Sequence, residues 1–446
     1  MSEVKNIPKH WQIKKLGEVC FTTSGGTPSR GNKNYYEGKI PWVKSGELNR
    51  GLITDTEEKI SEEAIKNSSA KVFPKGTLLI ALYGATIGKL AFLGVDAATN
   101  QAVCGIYKNE SIDSDYLYYN LVSKKPSLVK QGIGGAQPNI SQGILKNLDL
   151  PIPPLPEQQL IVSKIEELLS DLDNGKQQLL TAQQQLKVYR QSLLKWAFEG
   201  KLTNMNVKEG ELPKDWKLIE LKQVVDKISD GPFGSNLKSV DYVNEGIRVI
   251  RLENIGEMEF KNQYKTFVTP AKYETIKNHT VGKGDIIFSS FVSESIRSVI
   301  LPDYIENAIN KADCFLVRVS ESKINRKYLA YYFSTKEMRN QLINQIHGAT
   351  RPRINTTQLK SSTIPFAPLK EQQLIVDELE SKLTVCAKIE ETISQSLLQA
   401  ETLRQSILKK AFEGKLVRLN YDSDDEIDKH EIGIAAEELV PYKKSS

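Results

Sequence analysis

No apolar run in this sequence approaches the roughly 20 residues that a membrane-spanning helix requires. The opening MSEVKNIPKHWQIKKL contains no apolar signal core either, so the expectation is a cytoplasmic protein without a membrane partner. Cysteine is scarce: Cys20, Cys104, Cys314 and Cys386 are scattered, with no CxxC pair and no histidine at ligand spacing. That excludes a disulfide framework and makes a zinc site an unexpected finding. Cys104 and Cys314 are expected at matching places in two strand-like apolar runs, as small core residues. The four histidines (His10, His279, His347, His430) are equally dispersed and suggest neither nucleophilic catalysis nor a metal centre.

Catalytic motifs are also missing. No G-x-G-x-x-G cradle follows a strand, and GATIGK (84–89) has three residues between its glycines where a phosphate-binding loop has four. Leu90 stands where Ser or Thr would hold magnesium. LPIPPLP (150–156) lacks the acidic or amide residue and the aromatic that flank the prolines where amino-methyltransferases hold a flipped base. Pro302-Asp303 followed by Glu321-Ser322-Lys323 fits the loose PD…ExK pattern of metal-dependent nucleases, a pattern with a high chance frequency. A nuclease built on Asp303, Glu321 and Lys323 is one alternative reading of the chain. A coiled-coil adaptor with no DNA role is another. The expectation is a chain without catalysis of its own and without a bound metal.

Repetition is what the sequence does have. LLKWAFEGKL (193–202) returns as ILKKAFEGKL (407–416), and the match runs without a gap from EQQLIV at Glu157 and Glu371. IPKHWQIKKLGEV (7–19) parallels LPKDWKLIELKQV (212–224). GKIPWVKSGEL (38–48) parallels EGIRVIRLENI (245–255), and KGTLLIALYG (75–84) parallels KGDIIFSSFV (283–292). TNQAVCGIY (99–107), DYLYYNL (115–121) and GGAQPNI (134–140) find counterparts at 309–317, 327–333 and 348–354. The period is far too long for a solenoid; this is a duplicated half-molecule.

Short β-branched and aromatic runs such as TLLIALY and GIRVIRL, bounded by Gly, Pro, Asn and Asp, predict strands, while DYLYYNLVSKK and KYLAYYFSTKEMRNQLINQI have helical spacing. Each half therefore reads as a mixed α/β unit followed by a long helix. In the first helix Ile161, Ile165, Leu168, Leu172, Gly175, Leu179, Ala182, Leu186, Tyr189, Leu193 and Trp196 alternate by four and three, a heptad seam. Ile375, Leu379, Cys386, Ile389, Ile393, Ala400, Leu403 and Ile407 continue the pattern in the second, with Lys382, Ser396 and Lys410 as imperfect members. Proline leads into each helix, and Gly200 and Gly414 end them.

The expected class is α+β: two similar mixed α/β units separated by two long helices that pair as an antiparallel coiled coil, with a pseudo-two-fold internal repeat. Expected boundaries are unit one 1–150, spacer helix one 151–205, unit two 206–365, spacer helix two 366–418 and an acidic tail 419–446. The tail from Asn420 carries eight acidic side chains against three lysines, so the net +5 of the chain becomes +10 over the rest. A basic body permits a polyanionic partner.

Two Gly- and Ser-rich loops, SGGTPSRGNKNYY (24–36) and DGPFGSNLKSVDY (230–242), carry cations, and small residues let backbone N–H groups approach phosphates. A plain structural turn competes with that reading in both loops. Candidate DNA contacts are Ser24, Gly25, Gly26, Thr27, Ser29, Arg30, Lys44, Gln137 and Asn139 in the first half. In the second half they are Gly231, Phe233, Ser235, Lys238, Arg251, Arg351 and Arg353. Arg addresses guanine and Gln or Asn addresses adenine, each with two hydrogen bonds.

With these motifs in place the chain resembles the specificity (S) subunit of type I restriction-modification systems. The Pro-x-x-Pro-x-x-x-Gln-Gln leads, the Ala-Phe-x-Gly-x-Leu ends and the GGTPS and GPFGS loops carry the resemblance over residues 7–417. The resemblance implies two target recognition domains reading the halves of a bipartite, asymmetric site in double-stranded DNA, with the helices as a ruler that sets the gap. It implies two modification subunits as partners, which bring S-adenosylmethionine for adenine N6 methylation. Restriction subunits bring ATP- and Mg-dependent translocation and cleavage, and the setting is a bacterial or archaeal cytoplasm, at the nucleoid. It gives Trp196, Phe198, Glu199, Phe412 and Glu413 a candidate role in docking those subunits.

The fragment 1–205, deprived of its internal helix partner, is expected to dimerise through its own helix and to recognise a symmetric site; a strictly monomeric fragment by sedimentation would count against internal pairing.

Overall fold

The computed structural model describes residues 7–48, 51–132, 138–204, 206–208, 210–292, 294–346 and 352–417. It divides into two compact units, one of residues 1–178 with 396–446 and one of residues 179–395. Among the described residues no helix is long and apolar enough to cross a membrane.

In the first unit Gln12–Lys15 pairs antiparallel with Asp149–Ile152. A five-stranded sheet follows the order Thr22–Ser24, Val103–Ile106, Leu78–Ala81, Leu90–Leu93, Leu52–Ile53. A four-stranded sheet has the order Lys59–Ile60, Ile40–Val43, Ala97–Thr99, Val72–Phe73, its two central strands parallel. The runs LLIA and VCGI are buried at every position, which is why they read as continuous apolar segments and not as alternating ones.

The second unit repeats this plan. Lys217–Glu220 pairs with Thr363–Phe366. Lys227–Ser229, Cys314–Arg318, Ile286–Val292 and Ile296–Ile300 form one sheet. Ile247–Ile250 and Ala308–Asn310 are the parallel centre of the other. The helical run expected after Lys327 breaks into Arg326–Phe333 and Lys336–Ile343, because the Thr335 hydroxyl accepts the Met338 N–H at 3.2 Å and starts a new helix.

The cysteines depart from the expected match. Leu82 donates to the Ala102 carbonyl and Ser290 to the Asp313 carbonyl, which makes Val103 and not Cys104 the counterpart of Cys314. A one-residue shift in a strand turns a side chain to the opposite face. Cys104 accordingly joins the core with Leu78 and Ile80, and Cys314 the core with Ile287 and Leu316.

The long helices are Leu155–Phe198 and Leu369–Phe412, 44 residues and about 66 Å each. Their pairing is antiparallel. In the first unit Arg404 pairs with Asp173, and Lys176 with Glu401 at 3.6 Å, so a step forward on one helix is a step back on the other. In the second unit Arg190 pairs with Glu390 at 3.0 Å.

The seam follows the predicted heptads until it drifts. Tyr189 and Trp196 are 42% and 41% exposed, while their neighbours Arg190 and Ala197 turn inward. A straight helix slips about 20° per heptad against a strict 3.5-residue repeat, which over five heptads is one residue.

Each unit is closed by the start of one long helix and the end of the other. In the first, the Trp11 indole N–H donates to Glu157 at 3.0 Å, and Phe412 packs edge-on to Tyr116 at 5.3 Å. Gly414 has φ +69°, and a Cβ there would lie 2.3 Å from Pro8. In the second, Trp216 donates to Glu371 at 2.9 Å, Phe198 packs on Tyr328 at 4.9 Å, and a Cβ on Gly200 would meet Pro213 at 2.3 Å. The next residue of each lead, Gln158 or Gln372, accepts the N–H of Asp113 or Asn325 at 2.8 Å, at the start of a helix. The repeated EQQ and AFEGKL segments are thus the two ends of one closure, needed once per unit.

Phe412→Ala is expected to destabilise the first unit by about 3–5 kcal/mol. Amide exchange should quicken in Ser114–Gln131 and not in Arg326–Phe333, with the reverse for Phe198→Ala. Equal quickening in both helices would refute this assignment of helix ends.

Candidate nucleic-acid interface

In each unit one tight turn gathers the candidate segments. In the first it is residues 99–103, where a strand of the smaller sheet passes into the larger one. Asn100 donates its N–H to Val43 at 3.0 Å, fixing the Lys44 segment, and Leu82 donates to Ala102 at 2.8 Å, fixing Tyr83. Gly25 donates to Val103 at 3.1 Å and Gly26 to Thr99 at 2.9 Å, fixing the 24–30 loop. Gly84 donates to Pro138 at 2.8 Å, and Asn139 bridges Tyr83.

The second unit uses the same bonds. Lys311 donates to Ile250 at 2.9 Å and Ser290 to Asp313 at 2.9 Å; Val292 donates to Pro352 at 3.1 Å, and Arg353 bridges Phe291. This correspondence pairs Lys44 with Arg251, Asn100 with Lys311, Tyr83 with Phe291 and Asn139 with Arg353. Lys44 and Arg251 also cap equivalent short 3-10 turns, their N–H groups held by Glu47 at 2.7 Å and Asn254 at 3.0 Å. The frame is one design; the side chains on it differ.

The loop glycines do a different job from the one expected. The N–H groups of Gly25 and Gly26 are already spent on carbonyls. A Cβ on Gly25 would lie 2.1 Å from the Thr99 carbonyl oxygen, on Gly26 2.4 Å from Ser69, and on Gly231 2.0 Å from the Asn310 oxygen. Gly25 and Gly231 let the loop press against the turn, and Gly26 lets it pass close to Ser69. Around them Ser24 accepts from Gln142 at 2.7 Å, and Thr27 donates to Gln101. Thr27, Ser29, Arg30 and Asn139 are exposed in the first unit. So are Ser235, Lys238 and Arg353 in the second, where Phe233 is 53% exposed. Gln137 and Arg351 lie outside the described residues.

The candidate cations are held by carboxylates that sequence reasoning missed. Arg30 forks onto Glu58 at 2.6 and 3.3 Å, with its guanidinium 4.3 Å over the Tyr36 ring. Lys44 reaches Glu57 at 2.8 Å and Glu58 at 3.1 Å. The hydrogen bond from Arg30 is the main force keeping the Glu58 carboxyl below the usual range, and the same bond raises Arg30. Arg251 binds Glu253 at 2.8 Å, and Arg353 binds Asp313 with its guanidinium 5.5 Å over Phe291. Lys311 and Arg251 flank the Tyr242 ring at 5.7 and 5.6 Å. Tyr83 and Phe291 were legible as partners in the repeat. The carboxylates were not, since nothing local marks Glu58 as the neighbour of Arg30.

The docking candidates divide. Phe198 and Phe412 belong to the cores, where each ring seals the unit under a helix end, and that burial removes them from any docking surface. Trp196 is exposed, edge-on to Tyr189 at 6.5 Å. Glu199 is bound by Lys201 at 2.8 Å and Glu413 by Lys415 at 2.7 Å. Two of the three residues of the nuclease alternative are engaged elsewhere: Lys323 binds Asp226 at 2.6 Å, and Glu321 binds Arg326 at 3.4 Å.

The family model for the type I restriction modification DNA specificity domain matches residues 8–182 and 213–399. The chain is 25% identical over 388 residues to the type I restriction enzyme MjaVIII specificity subunit of Methanocaldococcus jannaschii, covering 84% of this chain and 86% of that one. It is 22% identical over 429 residues to the EcoKI specificity subunit of Escherichia coli K12, covering 92% and 90%. A solved chain from work on complex assembly and conformational transition of the type I R-M system superposes with a TM-score of 0.72 at 22% identity, covering 92% of this chain and 99% of that one. The HsdS subunit from Thermoanaerobacter tengcongensis gives a TM-score of 0.59 at 21% identity, covering 92% and 98%. With two matched copies spanning most of its length, the chain belongs to the type I restriction-modification DNA specificity family.

Proposed function

We propose that this chain is the address-reading subunit of a DNA methyltransferase and endonuclease complex, with one half of a bipartite, asymmetric site read by each unit. The observation that carries this reading is the shared frame with unlike side chains: Lys44, Asn100, Tyr83 and Asn139 in one unit, and Arg251, Lys311, Phe291 and Arg353 at the same points of the other. Equivalent frames meet DNA in the same way, and unlike side chains on them select different base edges. Chemistry resides on the partners in this proposal. Two modification subunits supply S-adenosylmethionine for adenine N6 methylation, and restriction subunits supply ATP- and Mg-driven cleavage. The exposed Trp196 with Glu199, and Glu413 at the other helix end, are the docking residues that remain accessible in part. The setting is the cytoplasm of a bacterium or archaeon, on the nucleoid.

The paired helices act as the spacer between half-sites. Gly175 stands opposite residue 402 by the Lys176–Glu401 pairing, so an insertion that keeps the seam belongs there and not near Ile389. Seven added residues on each helix preserve the heptad phase and lengthen the pair by about 10 Å, the rise of about three base pairs. Mapping N6-methyladenine in a host carrying the cognate modification subunit should show a split motif that vanishes without this chain. The insertion should widen its gap by about three base pairs with both half-sites unchanged; an unaltered gap would sink the spacer role.

Arg353→Ala should relax selectivity in one half-site only, with a loss of about 1–3 kcal/mol of discrimination at the affected base pair. The same methylation map reads this out. Loss of selectivity in both halves at once would contradict the assignment of one half to each unit.

A further inference from the structure

Around Arg30 and Lys44 the reading surface is not simply basic. Two carboxylates, Glu57 and Glu58, hold these two cations, and a third, Glu47, accepts the backbone N–H groups of Lys44 and Glu57 beside them. Glu58 is held in place by its backbone, since Trp42 donates its N–H to the Glu58 carbonyl at 3.0 Å beside the strand Lys59–Ile60. Its carboxylate faces the guanidinium fork of Arg30 and also meets the Lys44 ammonium. In the other unit Asp313 lies on the turn itself and binds Arg353.

A carboxylate presents two acceptors to a guanidinium, as do a phosphate and the O6/N7 edge of guanine. These rivals differ in charge. A phosphate that displaced Glu58 from Arg30 would sit as an anion beside Glu58 and its neighbour Glu57, and like charges brought together cost several kcal/mol. A base edge brings no net charge, and the displaced carboxylate can accept from an amino group of the same base pair.

We propose that Glu58, and Asp313 in the other unit, are specificity-determining residues: each occupies its cation so that an uncharged base edge, and not a phosphate, can take its place. This rests on the reading of each unit as a DNA half-site reader. Non-specific binding is mostly phosphate neutralisation. A carboxylate that selectively penalises phosphate therefore widens the gap between right and wrong sequences more than it strengthens either.

The test uses the full chain assembled with its modification subunits and a random-sequence duplex library. Wild type should enrich a split motif. Glu58→Gln keeps the size of the side chain and the backbone bond. It should retain random DNA about tenfold more, with a salt dependence steeper by about one phosphate contact. The motif should blur in one half only, and Asp313→Asn should blur the other. The melting temperature should be unchanged. Wild-type selectivity in both halves of both variants would overturn the proposal. So would an equal loss of affinity for all DNA, which would make Glu58 only a support for Arg30. If wild type itself enriches no sequence, the DNA-reading assignment fails and not the carboxylate's role within it.

Discussion

Trp11 and Trp216 each aim an indole N–H at a carboxylate in the first turn of a long helix, and the architecture is arranged around these two bonds. Glu157 is 3% exposed, a depth at which a carboxyl group needs hydrogen-bond partners. The indole, His10 and the position at the helix N-terminus, where a negative charge is favoured, all serve it. The neighbouring glutamine holds the N-cap residue of a second helix, Asp113 or Asn325, and the tyrosine of that helix donates to the strand before the long helix, Tyr116 to Pro151 and Tyr328 to Pro365. Phe412 or Phe198 then covers the tyrosine, and the glycine two residues later turns the chain away in a conformation that leaves room for the proline before the tryptophan.

This closure explains why one chain writes the same segments twice. The opening motif of one helix and the closing motif of the other meet in a single unit, so a unit is complete only with a piece from each end of the repeat. A half-chain carries one opening and one closing motif, but they lie at opposite ends of a 44-residue helix and cannot meet.

On the closed frame the candidate interface is built with economy of position. The turn in each unit ties down the Lys44 or Arg251 segment and the Tyr83 or Phe291 segment through backbone bonds, and the latter segment in turn holds the strand of Asn139 or Arg353, so side chains there can change without moving the frame. The first unit displays Asn139 beside Tyr83 and the second Arg353 beside Phe291. Aromatic rings under the cations, Tyr36 beneath Arg30 and Phe291 beneath Arg353, keep long side chains oriented at little entropic cost.

Much of this was legible in the sequence because it is local or repeated. Apolar spacing specified two long helices, proline and glycine marked their ends, and gapless duplication specified two like units. Paired alignment even matched Tyr83 with Phe291. Tertiary structure decided whatever depends on residues far apart in the chain. Burial, not spacing, assigned Phe198 and Phe412 to cores and turned Tyr189 and Trp196 outward as the seam drifted. Backbone pairing shifted Cys314 against Cys104 by one residue, since strand register is set by partner strands. The structural reason for glycine at Gly25 and Gly231, the closeness of a turn some 75 residues away, exists only in the fold. Glu58 joins Arg30 across 28 residues for the same cause: a charge pair leaves no periodic trace, and only the pairing of the strand that follows it brings it there.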